Sequence, residues 1–179
     1  MIGLTLLIGL FSYKMVLAFS DYNEEQQKVV DYLKNGEWDE ELKKGMSSEE
    51  TAHLEDVREV MQKLNYVFYA VLLICTVMVT QHYKKKKELG ELFLWGGIVA
   101  GAGSILIGGL SLISFNWLFT LFHDVFFPQG NWMFEIDSFL IQTFPLNFFI
   151  WMLVKILIFS LILASLFILG SIYLRHESD

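Results

Sequence analysis

Cysteine is nearly missing from this sequence: Cys75 stands alone in 179 residues, so no disulfide within the chain staples any part of it. Proline is almost as scarce, with two residues, Pro128 and Pro145, both in one late segment. That segment, Asn116 to Asn147, contains no Lys or Arg. No Walker, Rossmann or GxSxG pattern occurs, which removes the phosphate cradle of nucleotide chemistry and the commonest serine hydrolase arrangement. A basic surface is lacking too. Lys and Arg total 13 against 20 Asp and Glu, a net charge of −7, so no nucleic-acid partner is expected. Apolar residues are what the chain has, at 54% against 18% charged, which excludes a disordered polymer. They are gathered in long blocks and not spread at core-making intervals, the pattern of a membrane protein.

The blocks run over about 2–19, 64–83, 92–115 and 148–174. Each meets the roughly 20 residues that ~30 Å of hydrocarbon requires. The fold expected is an all-α membrane protein, one integral domain over 1–179 with four transmembrane helices. Residues 1–20 invite a second reading as a secretory signal, because Ala18-Phe19-Ser20 loosely matches a small-residue cleavage site. No basic residue precedes the apolar run, however, and Lys14 interrupts it where a signal core is uncharged, which favours a retained helix.

Lys84, Lys85, Lys86 and Lys87 lie between the second and third blocks, and Arg175 follows the fourth. By the positive-inside tendency these ends and both termini face the cytoplasm. Loops 20–63 and 116–147 then meet outside as a small extracellular cap. The first loop holds 13 acidic and 6 basic residues, a balance of −7 that equals the net charge of the whole chain. Such a cap does not adhere to anionic headgroups by charge alone.

In the first loop, Asp21-Tyr22-Asn23-Glu24 reads as a capping box and Asn35-Gly36 as the helix stop. Ser47-Ser48-Glu49-Glu50 opens a stronger helix, whose face of His53, Val57, Val60, Met61, Leu64 and Phe68 runs down into the second span. Asp56 lies beside His53 on it. The second loop is crowded with aromatic rings, which suits the headgroup boundary and places the loop against the bilayer. Phe127-Pro128-Gln129-Gly130 has the residue placement of a type I turn. It separates a short helix containing His123 from an extended stretch around 131–137. In the third span Gly96, Ala100, Ser104 and Gly108 recur every four residues, with Gly97 and Gly101 as a second pair. This stripe is expected to pack inside the bundle of a monomer, with a dimer interface as the alternative.

Four histidines are present. His82 and His176 belong to cytoplasmic flanks. His53 and His123 come from different loops on the same side, with Asp56, Asp124 and Asp137 available to orient them, and imidazole exchanges protons near neutral pH. For either one alone, a satisfied structural histidine is the commoner outcome. Zinc wants compact sets of three or four ligands, and no HExxH or paired-Cys pattern supplies them, so no metal or cofactor is expected. Lys155, about two turns into the fourth span, is a functional candidate as an intramembrane charge, or a snorkelling one whose stem reaches toward cap carboxylates.

These residues resemble a known family. Glu49-Glu50-Thr51-Ala52-His53-Leu54-Glu55-Asp56-Val57, Phe122-His123-Asp124-Val125-Phe126-Phe127-Pro128, Gly130-Asn131-Trp132-Met133-Phe134, Asp137 with Leu140-Ile141, and Phe144-Pro145 are similar to the bacterial lipoprotein intramolecular transacylases. These are four-helix membrane proteins with an extracellular cap, mostly from Gram-positive bacteria. The resemblance implies an acyltransferase whose partners are membrane lipids and a diacylglyceryl-modified lipoprotein. It moves the sn-2 acyl chain from glycerol oxygen to the α-amine of the N-terminal Cys, giving the N-acyl lyso form. By resemblance the two catalytic histidines map onto His53 and His123. Their division of labour stays open.

That reaction closes a ring of about eight atoms, so much of the enzyme's task is to hold a floppy substrate folded. Phe126, Phe127, Asn131, Trp132 and Phe134 are the expected substrate-binding residues, Trp132 and Phe134 facing one side of the extended stretch. A non-catalytic scaffold with an acidic cap, and a small metal-handling or transport protein, are the competing functions. One geometric expectation is attached. His53 stands eleven residues above Leu64, ~16 Å on a straight helix, so the helix is expected to lean onto the membrane.

Overall fold

The computed structural model describes residues 1–176. Among them every regular element is helical: α1 (Ile2–Phe19), α2 (Glu24–Asn35), α3 (Glu40–Lys44), α4 (Ser48–His82), α5 (Lys86–Phe126), α6 (Phe139–Thr143) and α7 (Leu146–His176). α1, α4, α5 and α7 are long and apolar enough to cross a membrane.

α5 and α7 form the most extensive pair, and α1 packs against α4, α5 and α7 at once. Small residues explain both contacts. A Cβ on Gly97 would fall 2.8 Å from the Ala164 carbonyl oxygen and 2.8 Å from Ile168, so only glycine lets α7 come this close. On the preceding residue, Gly96, the missing side chain is replaced by Leu4 of α1. Every fourth residue of α1, Leu4, Ile8, Ser12 and Val16, is buried. The expected packing of the stripe within the bundle is therefore what Gly96, Gly97 and Gly101 do. Lys14 finds its acceptor inside this bundle too, donating to Asn65 Oδ1 at 2.6 Å and lying over the Phe68 and Tyr69 rings.

The cap is a second, smaller core. Val29, Tyr32, Leu42, Leu54 and Leu140 are buried together, with Trp38, Phe134, Phe139 and Phe144 around them. Residues of both loops contribute, so the second loop is interwoven with the first and does not simply lie on the bilayer. Two polar ties hold them together. Glu50, 4% exposed, closes the capping box through Ser47 N at 2.8 Å and accepts the Leu140 amide at 2.8 Å with its other oxygen. The Gln26 amide donates to the Thr143 carbonyl at 2.8 Å.

The Ser47–Glu50 box and the Gly36 stop, at φ 82°, form as expected. The first box does not. Asn23 caps α2 with Gln26 as its reciprocal partner, two residues later than Asp21 and Glu24. The brief α3, capped by Asp39, was not expected.

The largest departure lies in α5, which continues to Phe126 across a kink at Ser114 (φ −158°, ψ 94°). Ser114 Oγ accepts the Trp117 amide at 3.3 Å, as an N-cap does, so a new helical segment starts there. The short helix expected around His123 is thus the outer piece of α5. The stretch after it is not extended, since residues 131–132 and 136–137 form turns.

α4 is unbroken. The height expected of His53 resolves differently. Asn65 is level with Lys14, which lies five residues, about 7.5 Å, below the end of α1, while His53 lies twelve residues, about 18 Å, above Asn65. His53 therefore stands only about 10 Å above the end of α1, and the expected lean is not required.

Candidate active site

Where α4 and the outer piece of α5 converge in the cap, His53 and His123 face each other. Their ring centroids are 6.2 Å apart with 25° between planes. Each residue is 8% exposed. Two van der Waals layers of about 3.5 Å would be needed to insert a chain between stacked rings. A substrate must instead meet the ring edges, where the nitrogens are.

Aromatic side chains close the space around them. Phe127, 3% exposed, touches His53 at 4.9 Å and His123 at 5.6 Å between centroids. Phe134 packs on His53 at 5.5 Å and Trp132 on His123 at 4.6 Å. Trp132 and Phe134 therefore serve different histidines, as follows from the turn at 131–132 in place of a strand. Phe126 points outward, exposed and packed on Phe122 at 4.7 Å. The turn before Asn131 is made as the sequence indicated, with the Gly130 amide donating to the Phe127 carbonyl at 3.0 Å.

Polar anchoring of the two rings differs. The His123 Nδ1 lies 2.8 Å from the carbonyl oxygen of Phe119, one turn back. A carbonyl only accepts, so Nδ1 carries the proton and Nε2 keeps a free lone pair. Burial lowers the His123 pKa, opposed by that hydrogen bond and by the charge of the exposed Asp124. The His53 pKa is pushed down to about 4, first by burial and then by His123, with Asp56 and Asn131 opposing. Both imidazoles are thus neutral near pH 7.

Asp56 acts at one remove. Its Oδ2 accepts from Asn131 Nδ2 at 2.6 Å and from Gln129 Nε2 at 2.8 Å. Asn131 Oδ1 and His53 Nδ1 are both buried outside any closed hydrogen bond. The amide is close enough to favour the protonated ring all the same. Asp137 stands exposed in the turn before α6, where Ser138 caps the helix and directs it to solvent. Lys155 reaches the end of α1, donating to Ser20 Oγ at 3.4 Å, and no cap carboxylate.

Gln129, Glu50 and Phe119 were not singled out from the sequence. Glu50 was legible as a cap, and only the fold reveals its second partner. Among the described residues no group of three His, Cys, Asp or Glu side chains is placed to hold a metal ion.

A family model described as lipoprotein intramolecular transacylase, Lit, matches residues 10–149. The chain belongs to that family. It is a multi-pass membrane acyltransferase, and a lipoprotein is its partner. The fold agrees with that of the Bacillus cereus transacylase solved in meso, at TM-score 0.86 and 23% identity, covering 98% of this chain and 92% of that one. Variants of the same enzyme in which one histidine is replaced by arginine or alanine match at TM-score 0.79 and 21% identity, covering 98% of this chain and 88% or 90% of theirs. An Aquifex aeolicus protein described as uncharacterized is 24% identical over 162 residues, 88% of this chain and 69% of its own.

Proposed function

We propose that His53 and His123 carry the proton transfers that move the sn-2 acyl chain of a diacylglyceryl-modified lipoprotein onto the α-amine of its N-terminal cysteine. The observation that carries this reading is the pair of buried, neutral imidazoles 6.2 Å apart beneath Phe127, Trp132 and Phe134. The amine nitrogen attacks the ester carbonyl carbon. A C–N bond forms, the amine gives up a proton, and collapse of the tetrahedral centre breaks the acyl C–O bond. The glycerol oxygen then takes a proton, so one proton crosses from nitrogen to oxygen and the enzyme returns to its starting state. A neutral imidazole with a free Nε2 accepts the first proton, and the partner ring stabilises the oxyanion or delivers a proton to the leaving oxygen.

Asn131, hydrogen-bonded to Asp56, stands beside His53 as its positioning group, and Asp124 tunes His123 from the exposed side. Phe127, Trp132 and Phe134 confine the glyceryl group, so that the ring closure of about eight atoms begins from a folded substrate. Phe126 belongs to the rim, and its outward position supports lipid contact more than substrate contact. The positions of Lys84 to Lys87 and Arg175 support a cap outside and both termini inside. Use of the small-residue stripe within the bundle supports a monomer among membrane lipids.

The test is the mass and acyl position of the N-terminal tryptic peptide of a co-expressed lipoprotein. Wild-type protein yields the N-acyl lyso peptide, and His53→Ala and His123→Ala yield the unchanged diacyl form at normal membrane abundance. Full conversion by either variant would remove that histidine from the mechanism.

A further inference from the structure

We propose that the sn-2 acyl chain of the substrate lies in a cleft between α1 and α5 that widens toward the cap and ends above at the two histidines. The cleft stands on the geometry alone. Its occupant rests on the catalytic reading above.

As the first and third of four successive spans, α1 and α5 cross the membrane in the same direction. A contact between parallel helices recurs every seven residues, with a drift of only ~20°. Leu4, 5% exposed, fills the place of the side chain missing at Gly96. Seven residues on along both helices, Phe11 over Gly103 would repeat that fit. It does not form: Phe11 is 40% exposed, and a Cβ on Gly103 would meet nothing within 4 Å. The next repeat brings Ala18, exposed, and Leu110, partly buried. Ser12 and Val16 of α1 stay buried meanwhile, and Ser20 at its end meets Met152 and Lys155 of α7. α5 also keeps to α7, with Gly108 against Leu157. Both helices thus follow α7 while they part from each other.

α4 supplies the third wall. His53 faces His123 of α5, and Val57, Leu64 and Val71, spaced from it by one turn and then by sevens, lie on that same face. All three are partly buried. The floor is the packed cluster of Leu4, Ile8, Ala100 and Ala164. Ile8 lies eleven residues, about 16 Å, below the end of α1. That is close to half of the ~30 Å hydrocarbon core. The cleft is therefore apolar, one leaflet deep, and headed by the proton-transferring groups, which is the form of a lipid tail whose ester is the reacting bond.

The test compares bulk placed in the cleft with bulk placed outside it. Ala18→Trp narrows the cleft near its mouth, whereas Gly9→Trp adds the same ring on another exposed face of α1, where a Cβ would meet nothing within 4 Å. Each is assayed in vesicles by single turnover of a synthetic diacylglyceryl-cysteine lipopeptide carrying either palmitoyl or acetyl at sn-2. With palmitoyl, Ala18→Trp is expected to lower the rate about tenfold, because a displaced chain draws the ester off its attack geometry. Gly9→Trp should match the wild type, and with acetyl all three proteins should react alike. An unchanged palmitoyl rate in Ala18→Trp overturns the proposal. So does an equal loss with both substrates, which would mark a disturbed site in place of a blocked chain. Should Ala18→Trp not insert at normal abundance, Leu110→Trp carries the same contrast from the opposite wall. None of these results bears on His53 and His123, whose roles stand or fall with their own alanine variants on the acetyl substrate.

Discussion

α4 carries His53 outward on an unbroken helix of 35 residues, whereas α5 delivers His123 only after the turn at Ser114. The straight support is fixed by ionised and polar groups. Glu50 ties its first turn to Leu140, and Asp56 ties its third to Gln129 and Asn131. The kinked support is fixed by rings: Phe119 and Trp132 flank His123, and its one polar anchor is a backbone carbonyl. One histidine is therefore held from the aqueous side by chemistry that side chains can change, and the other from the lipid side by packing. A reaction between an amine at the water side and an ester in lipid has its two ends in the same two environments.

The sharpest way to break this comparison is to remove each ring. His53→Ala and His123→Ala should each lower transacylation by ~10² to 10⁴-fold, the usual worth of positioned proton transfer. Single-turnover rates per inserted molecule measure this, and a large asymmetry would assign the heavier role to one support. Next comes Trp132→Ala, which should lower the rate at saturating lipoprotein about tenfold while leaving substrate binding nearly intact, because the folded geometry is lost and the acyl chains remain in lipid. If Trp132 only anchors the loop, the melting temperature in detergent falls and the rate per folded molecule does not.

Asp56→Asn should be milder, about three- to tenfold, since its hydrogen bonds reach His53 through Asn131 and its charge acts on the ring without touching it. It should also lower the apparent pKa of His53 further, by removing one of the groups that oppose the fall. The pH dependence is the smallest effect near neutrality. With His53 at about 4 in the folded protein and about 6.5 when unfolded, the unfolded chain binds more protons between those values. Stability from this group is therefore complete above 6.5 and is lost as pH falls toward 4. Activity should decline on the acid side as either histidine protonates, which a pH–rate profile in vesicles would read directly.

Much of the fold was legible because each membrane span is a local signal of composition: a run of about twenty apolar residues needs no knowledge of its neighbours. The kink at Ser114 was not, because it contains neither proline nor glycine, and a serine in a membrane helix more often bonds back to its own turn, as Ser104 does to Ala100. At the site the histidines were readable from the resemblance, but the partner of Asp56 was not. Asn131 is 75 residues away, and pairing over that distance exists only once both loops share a core. Lys155 shows the same limit. Its snorkelling direction was foreseeable, while its acceptor, Ser20, belongs to a helix end that sequence places nowhere near it.

Lys14 has a consequence for how the protein is built. α1 leaves the ribosome before α4, and it brings a cation into the bilayer whose described acceptor, Asn65, belongs to the next span. A buried lysine costs up to ~3 kcal/mol at the centre of an inserting helix, less near its end. α1 is thus a conditional passenger that gains full membrane stability when α4 arrives, and the two enter as a cooperative pair. Insertion of α1 alone, measured with a glycosylation reporter for wild type and Lys14→Leu, gives the size of that dependence.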